Sequence, residues 1–316
     1  MMNFADRLLA RIAELDNPTV LGLDPMLEYI PEQLVKNIRK NCADPLQAAG
    51  LIITEYNMRL IDSVADVIPA IKPQLAYYEQ YGLPGLEAFH QTCVYAKNKG
   101  MIVIADGKRN DIGTTAAAYA RAYLGQTELG DGIMKNVNAV DALTVNPYLG
   151  MDGIEPFLEQ CRQFGQGIFI LVRTSNPSAG DFQDLRLADD RTVYEAVADQ
   201  VTRWGTSLIG QCGYSSAGAV VGATYPDQAA QLRRRMPHTL ILVPGFGAQG
   251  ATADDCAHHF DKNGQGAIVN ASRSFMLAYK KHALPQEAFA DACRLEAMRM
   301  KQELNLAIGR KPKFAV

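Results

Sequence analysis

The 316-residue sequence has almost no excess charge and no long apolar run. Its 31 basic and 34 acidic side chains give a formal net charge of -3, so it lacks the basic surface with which proteins neutralise nucleic-acid phosphates. We therefore expect no nucleic-acid partner. No apolar stretch approaches the roughly 18 residues that a membrane-crossing helix needs, and we expect no membrane partner either.

The sequence has six cysteines but no CxxC pair, and they lie at positions 42, 93, 161, 212, 256 and 293. A chain of this length needs no disulfide staples, since it can bury a large apolar core. The N-terminal segment interrupts its apolar pattern with Asp6 and Glu14, which is not typical of a secretory signal. These features predict reduced thiols and a cytoplasmic protein.

Several catalytic motifs are also missing. The five histidines lack the spacing of a zinc motif such as HExxH, and neither a GxSxG elbow nor a P-loop segment is present. We expect no metal site and no cofactor. The adjacent residues His258 and His259 are predicted to lie on a helix surface.

Hydrophobic residues make up 48% of the chain and recur in eight short runs rich in β-branched side chains. The runs cover residues 19–24, 67–74, 101–108, 140–147, 167–175, 217–224, 239–247 and 266–273. They are nearly continuous apolar segments, which is typical of parallel strands covered by helices on the outside. Helical patterns lie between them, as at 47–63 and 191–208, so strands and helices alternate.

Eight alternating units predict an α/β fold, a (β/α)8 TIM barrel formed as a single domain over residues 1–316. A doubly wound open sheet would also alternate strands and helices, and it is the alternative. We further expect an amphipathic N-terminal helix that carries Phe4 and Leu8, a long mobile loop at 176–190 and a final helix at 285–306. The basic tail beyond that helix is expected to be a solvated chain end.

Seven of the eight predicted strands carry polar residues at their C-terminal ends. They are Asp24, Lys72, Asp106 with Lys108, Asn146, Ser175, Thr224 and Arg273. In a barrel, the C-terminal ends of the strands and the loops that follow them build the active site. A polar residue can also simply mark where a strand stops, but its recurrence in seven of the eight runs favours a functional site at this end of the barrel.

The densest charged cluster follows the third strand, in the segment DGKRNDI at 106–112. Asp106 and Lys108 are two residues apart, so on an extended strand they face the same side. Lys72 ends the neighbouring strand and would stand beside them, while Asp111 would face a neighbour or a second subunit. Alternating charges keep one another ionised when they are desolvated. The cluster thus predicts a fixed proton donor beside a fixed negative charge, whereas the motif alone could be a surface salt-bridge cluster.

A glycine-rich segment, VPGFGAQG at 243–250, follows the seventh strand, and Arg273 follows the eighth. Glycines let backbone N–H groups approach an anion and arginine adds a bidentate clamp, so these loops predict a phosphate site. Residues 245–250 also match GxGxxG, which would suit an NADP-dependent oxidoreductase. Too little chain follows Gly250 to complete the nucleotide-binding half of that fold.

Together these segments resemble the orotidine 5′-phosphate decarboxylase family, in its longer bacterial-type subgroup. The resemblance rests on LGLDP at 21–25, AIKPQLAYYE at 70–79, DGKRNDIGTTA at 106–116, VRTSNP at 172–177, VPGFGAQG at 243–250 and ASRS at 271–274. It implies decarboxylation of orotidine 5′-phosphate to UMP in de novo pyrimidine biosynthesis, without a cofactor.

The resemblance also implies a role for particular residues. The implied catalytic residues are Lys72, Asp106, Lys108 and Asp111, with Lys108 as the proton donor to C6 of the pyrimidine. The implied substrate-binding residues are Asp24 for the ribose, Ser175 for the pyrimidine, Gln249 and Arg273 for the phosphate, and Ile112 and Thr115. In the family, the residues matching Asp111, Ile112 and Thr115 reach into the partner subunit's site, so a homodimer is implied.

The chain departs from the compact family pattern in two respects. Segments at about 26–66 and 176–216 are longer, and Ala271-Ser272 stands where a glycine often precedes the phosphate arginine. A Mg²⁺-dependent phosphosugar decarboxylase or aldolase on a related barrel is one alternative, since it can share the DxKxxD signature. A catalytically silent nucleotide-binding regulator is another, although the intact charged set argues against it.

Overall fold

Eight parallel strands close into a barrel in the computed structural model, which describes residues 2–247 and 250–309. The described chain has ten strands in all, eight of them in the barrel. They are β1 (Thr19–Leu23), β2 (Ala70–Pro73), β3 (Ile102–Arg109), β4 (Thr127–Glu128), β5 (Met134–Lys135), β6 (Ala142–Val145), β7 (Gly167–Arg173), β8 (Ser215–Val221), β9 (Thr239–Val243) and β10 (Ala267–Ala271). Strands β4 and β5 form a separate antiparallel hairpin, and the other strands form the barrel. Each predicted run overlaps one barrel strand, so the TIM barrel is confirmed and the open sheet is excluded.

Helices follow the barrel strands and cover them. They are α1 (Phe4–Leu15), α2 (Glu32–Arg39), α3 (Pro45–Val64), α4 (Ala76–Glu79), α5 (Gly82–Asn98), α6 (Gly113–Leu124), α7 (Met151–Phe164), α8 (Gly180–Gln183), α9 (Val193–Gly205), α10 (Pro226–Arg235), α11 (Ala253–Ala257), α12 (Arg273–Met276), α13 (Ala278–Lys281) and α14 (Phe289–Ala307). Short 3₁₀ helices lie at Leu27–Tyr29, Pro177–Ala179, Thr206–Leu208 and Gln286–Ala288. The four predicted helices are confirmed as α1, α3, α9 and α14.

Side-chain caps determine where two of these helices begin. Asp44 Oδ1 accepts the backbone N–H groups of Leu46 at 2.8 Å and Gln47 at 3.2 Å, ahead of helix α3. Thr192 and Glu195 form a capping box at the start of α9. Each cap satisfies backbone donors that the first helical turn leaves without a partner. These helices therefore start where their sequences carry the local signal.

Helix α1 closes the N-terminal end of the barrel. Phe4 packs edge-on against Phe169 in the barrel interior, with ring centroids 5.9 Å apart. Gly167, the first residue of β7, makes room for this ring, because an ideal Cβ there would lie 2.2 Å from Phe4. At the same end Arg7 donates to the buried carboxylate of Asp141. The interior core is thus covered at the N-terminal end of the barrel. The C-terminal end remains open for functional side chains.

The prediction of a helix-surface position for the histidine pair is wrong for His259, which is fully buried in the turn after α11. Its Nδ1 lies 3.1 Å from Cys256 O and its Nε2 lies 3.2 Å from Gly222 O. Burial lowers the pKa of His259 to about 4, although both carbonyls act to raise it. The turn directs the His259 ring into the core, and the sequence, in which the two histidines are adjacent, does not show that they face opposite sides. His258 is exposed as expected.

The predicted long loop at 176–190 is not free of secondary structure. It contains the 3₁₀ helix Pro177–Ala179 and helix α8, and Arg186 pairs with Thr192 in an isolated antiparallel bridge. The basic tail after Gly309 lies outside the described residues. None of the helices in the described ranges is both long enough and apolar enough to cross a membrane.

Phe4→Ala should lower the free energy of unfolding by about 3–5 kcal/mol, because it removes a buried ring from the closed end of the barrel. Denaturant unfolding monitored by circular dichroism measures this change. Phe182→Ala is the matched control, since Phe182 is 68% exposed and should contribute little. A Phe4→Ala protein as stable as the wild type would show that α1 does not support the barrel.

Candidate active site

A cavity of about 300 Å³ opens at the C-terminal end of the barrel. It is lined by Asp24, Tyr29, Lys72, Gln74, Tyr77, Asp106, Pro244, Gly245, Phe246, Asn270, Ala271, Ser272, Arg273 and Met276. These residues follow or end strands β1, β2, β3, β9 and β10, with Tyr29 supplied by the long segment after β1. Polar residues from four strand ends therefore share one concave surface with the loop after β9, as the barrel geometry predicts.

Asp106 lies between two lysines. Its Oδ2 accepts a hydrogen bond from Lys72 Nζ at 2.7 Å, and its Oδ1 accepts one from Lys108 Nζ at 2.6 Å. The side chains of Lys72 and Asp106 are 6% and 9% exposed, whereas that of Lys108 is 46% exposed. One lysine therefore forms a buried ion pair with the carboxylate, and the other remains accessible beside it.

The charges of the buried pair are held in place by each other. Burial acts to raise the pKa of Asp106, but the ammonium groups of Lys72 and Lys108 outweigh it and hold that pKa well below its usual range. Burial likewise acts to lower the pKa of Lys72, and the carboxylates of Asp106 and Asp24 more than reverse the effect. The pair is therefore ionised across the neutral pH range.

Lys108 does not continue a regular strand. Its φ of 45° lies in the left-handed region, and the pairing of β3 with β6 shifts register between Ala105 and Arg109. The predicted extended geometry is thus wrong here, although Asp106 and Lys108 do converge. A non-glycine residue in this region costs about 1–3 kcal/mol and persists only when its surroundings hold it there.

Asp111, Ile112 and Thr115 are not brought into the cavity of the single chain. They lie beyond β3 at the start of α6, where Asp111 Oδ1 accepts the backbone N–H of Ile112 at 2.8 Å. Within the described chain, Asp111 forms no ion pair with either lysine of the array. Ile112 is 52% exposed, and Thr115 is exposed as well.

Exposed apolar side chains surround this segment. Tyr148, Leu149 and Met151 are exposed where β6 leads into α7. An ideal Cβ on Gly153 would lie 3.1 Å from Asp111 O and 3.3 Å from Leu149 Cβ, so the two groups belong to one surface. We call Ile112, Tyr148, Leu149 and Met151 the apolar rim. Exposed apolar side chains grouped in this way are typical of interaction surfaces.

The loops after β9 and β10 form the other side of the cavity. Gly245 and Gly247 have φ values of 108° and 71°, which side-chain-bearing residues rarely adopt. Arg273 is exposed at the start of α12 and lines the cavity. Gln249, a predicted phosphate-binding residue, lies outside the described residues.

Buried polar atoms without partners also mark the cavity. In the described part of the chain, Asp24 Oδ1 and Asn270 Oδ1 are buried and have no hydrogen-bond partner. Native structures rarely leave buried polar atoms unpaired, so an ordered water or a polar ligand in the cavity would satisfy these two atoms. Sequence reasoning missed Asn270, although a polar residue inside the apolar run 266–273 was the available signal.

Arg173 anchors the loop that follows β7. Its guanidinium carbon lies 5.2 Å from the ring centroid of Tyr194 and 4.6 Å from that of Tyr225. It also pairs with Asp184 at 3.1 Å and donates to Gln183 Oε1 at 3.3 Å. The side chain is 2% exposed, so a buried cation stacked between two aromatic rings holds helix α8 against the barrel.

This anchor determines the path of the chain through Ser175. Gln183 Oε1 also accepts the backbone N–H of Thr174 at 3.0 Å, and Gln183 Nε2 donates to Thr174 Oγ1 at 2.7 Å. Ser175 packs beside Gly222, where an ideal Cβ would lie 2.8 Å from Ser175 Cβ. Ser175 itself is partly exposed and lies outside the cavity lining.

The described ranges contain no group of three or more His, Cys, Asp or Glu side chains arranged to hold a metal ion. The ionisable array instead combines carboxylates with ammonium groups. Such an array can stabilise developing negative charge and deliver a proton.

A closed parallel barrel with this charged cavity at its strand ends is the architecture of a TIM-barrel enzyme. The sequence model described as "Orotidine 5′-phosphate decarboxylase / HUMPS family" matches residues 19–284, and the chain belongs to that family. The orotidine 5′-phosphate decarboxylase of Caldicellulosiruptor bescii is 42% identical over 309 residues, covering 98% of this chain and 100% of the relative. That of Rhodopirellula baltica is 45% identical over 308 residues, covering 96% and 99%.

Solved structures give the same assignment. The crystal structure of a putative orotidine 5′-phosphate decarboxylase from Streptomyces avermitilis matches with a TM-score of 0.76 and 29% identity, covering 98% of this chain and 97% of that one. The Leishmania donovani OMP decarboxylase matches with a TM-score of 0.73 and 28% identity, covering 98% and 100%. The long segments of this chain are therefore matched within full-length relatives.

Arg173→Gln should release the loop after β7, because it removes two cation–π contacts of about 0.5–2 kcal/mol each. We expect chymotrypsin to cleave at Phe182 or Leu185 at least about tenfold faster than in the wild type. Peptide mapping of timed digests measures this rate. Arg186→Gln is the control, because Arg186 is an exposed arginine of the same loop. Equal cleavage of all three proteins would contradict the anchoring role.

Proposed function

We propose that the chain decarboxylates orotidine 5′-phosphate to UMP in de novo pyrimidine biosynthesis, without a cofactor. The observation that carries the proposal is the array in which Asp106 bonds both Lys72 and Lys108 beside the cavity. Family membership and full-length relatives named orotidine 5′-phosphate decarboxylase support the same substrate.

The array suits this chemistry. When the bond between C6 and the carboxylate carbon breaks, its electron pair stays on C6, and the ring offers no adjacent electron sink. The Lys108 ammonium stabilises the developing charge and then transfers a proton from Nζ to C6, and CO₂ leaves. Preorganised charge of this kind acts without reorganisation during the reaction. Asp106 and Lys72 hold the ammonium in position throughout.

The remaining cavity residues divide the recognition of the substrate. Asp24 accepts from the ribose hydroxyls, which would satisfy its buried Oδ1. Arg273, together with Gln249, binds the phosphate, and Ser175 contacts the pyrimidine. The phosphate binds far from C6, and its binding energy can be used to close the site around the reacting atoms. Part of this binding energy is then expressed in the transition state.

We also propose a homodimer with shared sites. Asp111, Ile112 and Thr115 lie outside the cavity of their own chain, and the exposed apolar rim, to which Ile112 belongs, lies next to Asp111. A second copy covering this rim would bring them to the partner's array.

The six free cysteines support a reducing, cytoplasmic compartment.

One assay tests the proposed activity. Purified protein in EDTA-treated buffer without added cofactor should consume orotidine 5′-phosphate. The loss of the substrate's absorbance measures this turnover. No turnover under these conditions, together with Mg²⁺-dependent activity on a phosphosugar, would favour the magnesium-dependent alternative.

Lys108→Ala should reduce kcat by more than about 1,000-fold, because it removes both the charge and the proton donor. Binding of UMP, measured by calorimetry, should survive. Lys99→Ala is the control, since Lys99 is similarly exposed and pairs with Asp62 on the surface. A Lys108→Ala enzyme with normal turnover would refute the assignment.

Mixing Lys108→Ala chains with Asp111→Ala chains should restore activity if sites are shared. Each mixed dimer then contains one site with both residues intact. Random exchange should recover about a quarter of the wild-type specific activity, because about half of the dimers are mixed and each has one working site. Steady-state assays after co-refolding measure the recovery, and no recovery would exclude shared sites.

A further inference from the structure

We propose that Thr144 is the positioning residue that holds Lys108 and Asp106 in their reactive arrangement, a role that rests on the proposed function. Thr144 lies on β6, beside β3, and is 1% exposed. Its Oγ1 accepts the backbone N–H of Lys108 at 3.0 Å and donates to Asp106 Oδ1 at 2.8 Å. The same Oδ1 accepts from Lys108 Nζ at 2.6 Å.

These bonds close a ring through the lysine. One end of Lys108, its backbone N–H, reaches Thr144, and the other end, its ammonium, reaches Asp106. Thr144 joins the two partners. Rotation of the Asp106 carboxylate, or a change in the Lys108 backbone, would therefore break a bond to the threonine. The hydroxyl thus fixes the carboxylate and the lysine backbone relative to β6, and the carboxylate in turn holds the ammonium.

The register shift explains why a side chain is needed here. Between Ala105 and Arg109, the pairing of β3 with β6 is interrupted, so the Lys108 N–H has no ladder position there. Thr144 Oγ1 is its hydrogen-bond acceptor. The contact also stabilises the left-handed backbone conformation of Lys108. Without such support, a lysine would adopt a more favourable backbone conformation.

The direction of the hydroxyl proton is also determined. Because Thr144 Oγ1 accepts from the Lys108 N–H, its only proton is free for Asp106. Asp106 thus receives three donors, from Lys72, Lys108 and Thr144. Thr144 does not line the cavity, so its effect on catalysis acts through these two residues.

Thr144→Val keeps the branched shape and removes the hydroxyl. We expect kcat to fall about 10- to 100-fold, since small displacements of catalytic groups have effects of this size, while KM changes less than about threefold. Thr144→Ser should keep kcat within about threefold of the wild type, because it retains the hydroxyl. Thr19→Val is the matched control, because Thr19 is a buried strand threonine whose Oγ1 has no partner.

A second pair protects the test against misfolding. Thr144→Ser and Thr144→Ala differ only in the hydroxyl, so their comparison decides the question if the valine variant does not fold, as judged by circular dichroism. Equal kcat for the serine and alanine variants, or a KM effect without a kcat effect, would overturn the role of Thr144. If the wild type turns over orotidine 5′-phosphate and Thr144→Val has the same kcat, only the role of Thr144 is overturned. A wild-type chain without turnover of orotidine 5′-phosphate overturns the proposed function and this role together.

Discussion

The buried carboxylate of Asp106 is the constraint on which the rest of the site depends. An ionised carboxylate can be buried at the centre of a barrel mouth only if donors surround it. Lys72, Lys108 and Thr144 supply those donors from three neighbouring strands. The strand order therefore serves the site directly, because β2, β3 and β6 must be adjacent for one carboxylate to be paired by all three.

Stability and function are separated along the barrel axis. At the N-terminal end, Phe4 and Phe169 close the core with apolar packing, and Arg7 pairs with the buried carboxylate of Asp141. At the C-terminal end, the strands carry polar residues and a strained Lys108 backbone. The strained backbone persists because neighbouring groups hold it, among them the Thr144 hydroxyl that accepts the Lys108 N–H.

Apolar runs and strand-end charges made the barrel and the Lys72–Asp106–Lys108 cluster predictable from sequence, since both follow from local pattern and strand adjacency. The register shift at Lys108 was not predictable, because it depends on how β3 pairs with β6. Thr144 and Arg173 were missed for the same reason, as their importance lies in partners distant in sequence. Asn270 was missed although it interrupts the apolar run 266–273. The predicted positions of Asp111, Ile112 and Thr115 concern a second chain and remain predictions.

The register shift in β3 also limits how far this chemistry can be moved to another protein. A designer who copied Asp106 and Lys108 into a regular strand would align the two side chains but not the lysine backbone. The lysine N–H would then return to the ladder, and the hydroxyl of a grafted Thr144 would lose its acceptor role. The transferable unit is therefore the irregular stretch of β3 together with the facing residue of β6, and not the charged motif alone.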